Sequence, residues 1–226
     1  MWWIILLVAL IGYLIGSIPM GYVVIKLMKG EDIRQHGSGR TGGTNALRTG
    51  GPVAATLTTV GDILKGYAAV ALARLLMGPD VVATSLGTLV SALAGLAAVL
   101  GHNWSVYLGF KGGAGTSPNV GASIAFWPVS GLYLVPMIPV LGLIVIGYAS
   151  VTSMVIAGII LVTFLMRAVL QADPNWWYVA YAAATAALVV WALRPNIKRL
   201  REGTERMIGL RARAAFKKTG GNGTTV

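Results

Sequence analysis

The sequence predicts an all-α integral membrane protein with about seven transmembrane helices. Of its 226 residues, 56% are apolar and only 11% are charged. The mean hydropathy is +0.73, and the apolar residues form long runs with short polar connections. A soluble domain of this length would need far more polar surface. We therefore expect one membrane-embedded domain over residues 1–218, followed by a disordered tail over residues 219–226.

The apolar runs predict the individual spans, because a bilayer-spanning helix needs about 20 mostly apolar residues. Single spans are expected at residues 2–27, 52–77, 81–100 and 176–193. The apolar region 119–169 is too long for one span. Breaks are expected there at Pro128, at Pro136, at Pro139 and around residues 148–153.

Positive charge predicts the orientation, since Lys and Arg accumulate on the cytoplasmic side. The loop after the first run and the C-terminal tail are both rich in Lys and Arg, so both are expected in the cytoplasm. Parity then requires an odd number of crossings in region 119–169, and we expect three short ones. The tail after residue 194 is expected to lie along the membrane interface as an amphipathic helix.

The net charge of +11 lies mostly at the ends of the apolar runs and in the tail. That distribution indicates membrane topology and contact with anionic lipid rather than nucleic-acid binding. The chain has no cysteine, which excludes disulfides and thiolate chemistry. We expect neither a metal site nor a cofactor, because no spacing of His, Asp and Glu is typical of metal ligands.

Two glycine-rich, charged loops, residues 30–48 and 101–115, separate the apolar runs. Glycines expose the backbone, so that successive N–H groups can converge on an anion while Arg and Lys supply charge. In the first loop, Ser38 lies between two glycines, and Arg48 is a planar donor suited to bidentate phosphate contact. In the second, Lys111 is the candidate phosphate ligand. A plain connector would not need so many glycines, so we predict phosphate binding.

Other polar residues have two interpretations each. Ser17 precedes Pro19 by two residues and either belongs to the site or repairs a backbone bond freed by the proline. Asp62 and Lys65 share a helical face and either neutralise each other or line a polar cavity. His102 ends an apolar run and acts either as a general base or as a hydrogen-bonding cap of the helix end.

Several motifs occur together in a fixed order. They are Gly16-Ser-Ile-Pro-x-Gly21, Asp32-Ile-Arg-x-x-Gly-Ser-Gly39, Thr44-Asn45, Arg48, Asp62-x-x-Lys-Gly66, Gly95-x-Ala-Ala-Val-Leu-Gly-His102, Phe110-Lys-Gly-Gly113 and Asn196-Ile-Lys-Arg-Leu-x-x-Gly-x-Glu205. With these motifs, nearly the whole chain resembles the bacterial acyl-phosphate-dependent glycerol-3-phosphate acyltransferases, the PlsY family.

The resemblance implies a seven-helix enzyme of the bacterial inner membrane with its active site and C-terminus in the cytoplasm. Such an enzyme transfers a fatty acyl group from acyl phosphate to the 1-hydroxyl of glycerol 3-phosphate, giving lysophosphatidate and phosphate in phospholipid biosynthesis. Its partners would be these substrates and membrane lipid, without coenzyme A or metal, and we expect a monomer. The predicted catalytic residues are Ser38, Arg48, His102 and Lys111. The predicted substrate-binding residues are Ser17, Arg40, Thr44, Asn45, Asp62, Lys65, Gly112, Gly113, Asn196 and Glu205.

The chain departs from the family pattern at some positions in these motifs. Ala114 replaces a lysine of the second loop, Leu193 a histidine, and Pro195 a glutamate. Arg40 replaces an asparagine, and we hypothesise that it restores the positive charge lost at position 114. Two alternatives stay open: a homologue using a different phosphorylated acceptor or donor, and a non-catalytic homologue that binds acyl phosphate or another phosphorylated lipid precursor. A small-anion transporter is a weaker candidate, because the sequence has no convincing internal repeat.

Overall fold

The structure is a computed structural model that describes residues 2–170 and 175–218. The predicted disordered tail, residues 219–226, lies outside the described residues. Within the described ranges the chain is built from helices, and the β-type pairing there is a single isolated bridge between Tyr148 and Met207. The all-α membrane fold predicted from the sequence is confirmed.

The helices follow one another along the chain with short connections. They are α1 (Trp2–Ser17), α2 (Met20–Lys29), α3 (Gly43–Met77), α4 (Pro79–Val82), α5 (Ser85–Asn103), α6 (Thr116–Phe126), α7 (Gly131–Pro139), α8 (Ala149–Leu170), α9 (Trp176–Ala192), α10 (Arg194–Arg201) and α11 (Gly209–Lys218). Turns of 3₁₀-helix lie at Ile33–Gln35, Val106–Leu108 and Pro128–Ser130, and a π-helical turn, Val140–Ile146, continues α7.

Proline and glycine break the first two predicted spans near the first glycine loop. The run expected at 2–27 divides into α1 and α2 at Pro19, which lacks the backbone donor that would continue the helix. Helix α3 bends at Gly51, whose φ of 79° and ψ of −171° are not helical, just before Pro52. The predicted span at 52–77 is therefore the straight portion of a longer helix that begins inside the first glycine loop.

Region 119–169 forms the expected three helical segments, but two of the predicted breaks are wrong. The chain does break at Pro128 and at Gly147, next to the predicted region 148–153. Pro136 and Pro139, in contrast, lie inside a continuous helix. A wider π-helical turn follows Pro139 and absorbs the disturbance, so that the helix runs on to residue 146.

Four segments in the described part of the chain are long and apolar enough to cross a membrane: Trp3–Lys29, Ser85–Leu108, Pro128–Ile146 and Ala149–Leu170. A fifth arises if α9 and α10, which meet at 58°, form one broken span. Helix α6 has only 11 residues, about 17 Å of rise, against a hydrocarbon core of about 30 Å. The total of seven spans therefore stays a prediction.

Helix α6 ends inside the bundle, where an arginine donates to one of its last carbonyls. The ring of Phe126 stacks on Tyr178 at a centroid distance of 4.4 Å in the main apolar core. Arg74 donates to the carbonyl of Ala125 and, over 2.8 Å, to the hydroxyl of Tyr178. Because Arg74 supplies a donor to this carbonyl at the C-terminal end, the short helix can stop within the bundle. Its N-terminal end, at Thr116, meets the second glycine loop.

Candidate functional site

A cavity of about 400 Å³ lies between the two glycine loops and the C-terminal segment. Ten of the predicted site residues line it: Ser38, Arg40, Thr44, Asn45, Arg48, Asp62, His102, Gly113, Asn196 and Glu205. Another part of its wall is apolar and comes from Val60, Ile63, Val135, Ile138, Leu143 and Ile156. The cavity therefore offers charged and polar groups next to a surface that suits a hydrocarbon chain.

Asn45 holds the first glycine loop in shape. Its side chain is almost fully buried, and its amide nitrogen donates to the carbonyls of Ile33 (3.1 Å), His36 (3.0 Å) and Arg40 (2.8 Å). Its amide oxygen accepts from the backbone N–H of Ser38 at 3.1 Å. Both ends of this amide are thus engaged within the loop, and the residue fixes where Ser38 lies.

The loop conformation also depends on one glycine. Gly37 has a φ of 55°, and a Cβ at this position would lie 2.1 Å from the amide oxygen of Asn45. Only glycine combines that left-handed backbone with so close an approach. On the other side of the loop, the guanidinium of Arg34 lies 2.6 Å from the carboxylate of Asp32 and donates to the carbonyl of Leu108. Hydrogen bonding to Arg34 lowers the pKa of Asp32, and the bond from Arg34 to the carbonyl of Leu108 joins the two loops.

Arg40 connects the three parts of the chain that surround the cavity. Its guanidinium donates to the carbonyl of Gly113 at 3.3 Å and to that of Ala192 at the end of α9. Burial lowers the pKa of Arg40, and the neighbouring Arg199 adds to this effect, while Glu205 opposes it. An arginine still keeps its proton in a protein. Arg40 is therefore a fixed positive charge beside the backbone of the second loop.

Arg48 is the second cation on the cavity wall. It lies in the part of α3 that precedes the bend at Gly51, and its guanidinium donates to the carbonyl of Arg206 at 3.4 Å. A guanidinium has five N–H donors in a planar fork. Arg48 therefore links the first loop to the C-terminal segment and can also contact an anion in the cavity.

A buried charged cluster forms another part of the wall. One carboxylate oxygen of Asp62 lies 2.8 Å from the ammonium of Lys65 and 3.4 Å from Nδ1 of His102. Lys65 also donates to the carbonyl of Ile18, at the break between α1 and α2, over 2.7 Å. Asp62 and His102 line the cavity, whereas Lys65 lies behind them. Asp62 is thus both neutralised by Lys65 and part of the cavity wall.

The glycines of the second loop pack tightly on His102. The N–H of Gly113 donates to the carbonyl of His102 at 3.0 Å. A Cβ on Gly113 would lie 1.9 Å from Nε2 of His102, and one on Gly112 would lie 2.0 Å from its carbonyl oxygen. Beyond Gly115, helix α6 begins, and its first residues line the cavity. The N-terminal end of a helix attracts anions, so this end of α6 adds to the positive potential there.

Glu205 is the centre of a polar cluster at the C-terminal side of the cavity. One of its oxygens accepts from the amide of Asn196 at 2.8 Å and from the hydroxyl of Ser150 at 3.2 Å. The other accepts from Arg199 at 2.9 Å. The structure thus brings the predicted pair Asn196 and Glu205 together. Ser150 was not predicted as a site residue, and the available signal is only that it is one of three hydroxyl residues, with Thr152 and Ser153, at the break between two apolar runs.

Four predicted site residues do not line the cavity: Lys65, Ser17, Lys111 and Gly112. Ser17 is buried, and its carbonyl accepts from the hydroxyl of Ser105 at 2.5 Å. Lys111 is exposed. Among residues 2–170 and 175–218, no group of three or more His, Asp or Glu side chains could hold a metal ion.

Comparisons with known proteins agree with the motifs. A sequence model of the glycerol-3-phosphate acyltransferases matches residues 6–203. Glycerol-3-phosphate acyltransferase 3 of Dehalococcoides mccartyi is 39% identical over 218 residues, covering 92% of this chain and 97% of the relative. Glycerol-3-phosphate acyltransferase 2 of Moorella thermoacetica is 41% identical over 209 residues, covering 92% of this chain and 99% of the relative.

The fold is also similar to that of a solved membrane enzyme. The crystal structure of PlsY (YgiH), an integral membrane glycerol 3-phosphate acyltransferase, in its glycerol 3-phosphate form has a TM-score of 0.74 to this chain at 31% identity. The similarity covers 93% of this chain and 98% of that one. The lysophosphatidic acid form of PlsY gives a TM-score of 0.71 at 30% identity, over 91% and 95% of the two chains. The chain is therefore a multi-pass membrane protein that belongs to the glycerol-3-phosphate acyltransferase family.

Proposed function

We propose that this protein transfers a fatty acyl group from acyl phosphate to the 1-hydroxyl of glycerol 3-phosphate, giving lysophosphatidate and phosphate for phospholipid biosynthesis. The observation that carries the proposal is that Arg40 and Arg48, from the first loop, lie in the same cavity as an apolar wall. Such a cavity fits two anionic substrates, one of which has a long hydrocarbon chain. The names of the relatives support the choice of acceptor.

Glycerol 3-phosphate would bind at the first loop. In this proposal the guanidinium of Arg48 and the hydroxyl of Ser38 hold its phosphate, with Thr44 nearby on the same wall. Asn45 acts indirectly, because its amide is engaged by the loop and fixes Ser38. The 1-hydroxyl would then point into the cavity, towards the second loop.

Acyl phosphate would bind at the second loop, with its phosphate beside Arg40 and the N-terminal end of α6. Its acyl chain would follow the apolar residues of α7 and α8, such as Ile138 and Ile156. An acyl phosphate is a mixed anhydride and is already activated. The protein therefore mainly has to hold the two anions together and orient the hydroxyl.

The reaction also needs a place for one proton. As the glycerol oxygen attacks the acyl carbonyl carbon, the bond from that carbon to the phosphate oxygen breaks and the hydroxyl proton is released. We assign this proton to Nε2 of His102, because Asp62 lies at Nδ1 on the other side of the ring. This arrangement orients the imidazole as the proton acceptor. The proton can then pass to the departing phosphate.

The same geometry also supports a second candidate, an acyltransferase with a different phosphorylated acceptor or donor. Ala114 and Leu193, where the family pattern has lysine and histidine, both line the cavity. They remove hydrogen-bonding groups from the surface that would contact the substrates. If the protein uses a different substrate, we expect Ala114 and Leu193 to be the residues that change its specificity.

The proposed location is the bacterial plasma membrane, with the cavity open to the cytoplasm and the protein as a monomer. The excess of Lys and Arg in the first loop and in residues 194–218 supports this orientation. The two loops and the C-terminal segment surround one cavity, which supports their location on the same side of the membrane.

The proposal is tested with the protein reconstituted in phospholipid and supplied with radiolabelled glycerol 3-phosphate. Lysophosphatidate should form with palmitoyl phosphate and not with palmitoyl coenzyme A. Arg48→Gln should raise the KM for glycerol 3-phosphate strongly, whereas Arg48→Lys, which keeps the charge, should raise it less. Product formation that requires the coenzyme A ester, or a well-folded protein that makes no lysophosphatidate, would contradict the proposal.

A further inference from the structure

Residues 204–208, which we call the strap, connect α10 to α11 along one side of the cavity. The strap is attached at two points of the surrounding structure. The carbonyl of Arg206 accepts from Arg48, and the N–H of Ile208 donates to the carbonyl of Gly147 at 2.8 Å. The isolated bridge beside Tyr148 adds a further backbone contact. The strap is thus fastened to both α3 and the start of α8.

The strap also carries part of the cavity wall. Its residues Glu205 and Ile208 both line the cavity. The side chain of Glu205 is only 5% exposed and is bound by Asn196, Arg199 and Ser150. Movement of the strap would therefore take Glu205 away from its donors and open this side of the cavity.

Helix α11 follows the strap directly and starts against a membrane-spanning segment. Gly209 has a φ of 65°, and a Cβ there would lie 2.0 Å from the carbonyl oxygen of Leu143. The side-chain carbons of Arg211 would lie within 3.1 Å of a Cβ on Gly147. Leu143 and Gly147 mark the end of the span Pro128–Ile146. Since a span ends at the headgroup region, α11 begins at that level.

The exposed face of α11 is basic and lies beyond the family match, which ends at residue 203. Arg211 and Arg213 are exposed, and Leu210 is 53% exposed. Residues 194–218 hold nine of the chain's 18 Lys and Arg residues and two of its seven acids. Exposed cations beside an exposed apolar side chain, at the level of the headgroups, match the chemistry of an anionic lipid surface.

We propose that α11 binds the anionic headgroups of the surrounding bilayer and thereby holds the strap over the cavity. Each Lys or Arg near such a surface strengthens the attraction by about fivefold. No flexible linker separates the strap from α11, because Ile208 is hydrogen-bonded and Gly209 begins the helix. Docking of the helix is therefore transmitted directly to Glu205. The consequence for catalysis rests on the proposed function, whereas the lipid binding does not.

The lipid contact is tested by hydrogen exchange, which needs no turnover. The full-length protein is placed in vesicles of phosphatidylcholine alone or of phosphatidylcholine with phosphatidylglycerol. We expect the amides of the strap, including that of Ile208, to exchange on the order of tenfold more slowly with phosphatidylglycerol. R211Q/R213Q should lose this difference and R211K/R213K should keep it. Exchange that is the same in both lipids, or a difference that R211Q/R213Q retains, would overturn the proposal.

The coupling to the cavity is tested in the same vesicles with palmitoyl phosphate and glycerol 3-phosphate. Phosphatidylglycerol should lower the KM of the wild type for both substrates and leave the KM values of R211Q/R213Q unchanged. The two proteins should have the same kcat. If phosphatidylglycerol lowers the KM of the wild type and of R211Q/R213Q equally, the proposed coupling is overturned. Absence of turnover in both lipids, with strap exchange still dependent on lipid, would contradict the proposed function and leave the lipid contact supported.

Discussion

Replacing Asn45 with alanine should release the first glycine loop while the helices stay folded. The side chain has four hydrogen-bond partners, three carbonyls and the N–H of Ser38. Its amide nitrogen carries two hydrogens, so these contacts amount to three full bonds. At about 1 kcal/mol net for each bond, their loss costs about 3 kcal/mol. That is roughly a hundredfold change in the equilibrium between the ordered and the open loop.

The effect should be local, because these contacts join the loop to one end of α3. Asn45→Asp should be at least as harmful as Asn45→Ala, since a carboxylate would face the same three carbonyl oxygens. Thr49→Ala is the matched control. It removes one bond, from the Thr49 hydroxyl to the carbonyl of Asn45, in the same helical segment. We expect this control to cost about 1 kcal/mol and to leave the loop ordered.

Hydrogen exchange of residues 33–40 and the KM for glycerol 3-phosphate measure the two consequences. In Asn45→Ala, the loop amides should exchange much faster and the KM should rise, because Ser38 loses its anchor. Amides of α5 and α8 should keep their protection. If the variant lost activity while the loop kept its protection, Asn45 would be a direct ligand of the substrate and this reasoning would be refuted.

Further predictions concern the buried cluster, the second loop and acid stability. Asp62→Asn should lower the free energy of unfolding by about 3–5 kcal/mol because it leaves Lys65 as an unpaired buried charge, and adding Lys65→Met should recover much of the loss in chemical denaturation. Gly113→Ala should displace the side chain of His102, because the new Cβ would lie 1.9 Å from its Nε2. This variant should reduce kcat more than it changes the melting temperature. The lowered pKa of Asp32 implies stability that is present above the ordinary carboxyl pKa and is lost as the pH falls through the lowered value. Asp32→Asn should therefore flatten the acid side of the plot of melting temperature against pH, and an unchanged plot would contradict this.

The helical segments could be predicted largely from hydropathy and turn chemistry, because apolar length and chain breakers are local properties. Pro128 fits this description, since the helix ends beside it. Pro136 and Pro139 do not, because the effect of a proline depends on whether nearby carbonyls find other donors. Here the π-helical turn Val140–Ile146 absorbs the disturbance. That outcome depends on local geometry rather than on the sequence pattern.

The glycines and cations of the two loops predict anion binding, but the sequence did not show which contacts the individual loop residues make. Asn45 looks like a ligand in the sequence, and its four contacts within the loop appear only when the chain is folded. Lys111 has the right charge in the right loop, yet it is exposed and does not line the cavity. Charge is visible in a sequence, whereas the direction of a side chain in an irregular loop is not.

The C-terminal side of the cavity was the hardest part to predict. Asn196 and Glu205 were predicted as substrate-binding residues from the family motif. Their hydrogen bond to each other was not predicted, because they are nine positions apart and separated by a turn. Ser150 approaches Glu205 from a distant helix. A serine beside other hydroxyl residues, such as Thr152 and Ser153, has no pattern that identifies its partner.

Release of inorganic phosphate by the protein in lipid vesicles tests the central claim, that one cavity brings the two anionic substrates together. Palmitoyl phosphate and glycerol 3-phosphate are supplied separately and then together. The account predicts phosphate release only when both are present, with lysophosphatidate formed in equal amount. Phosphate release from palmitoyl phosphate alone at the same rate, or no release from well-folded protein with both substrates, would contradict it.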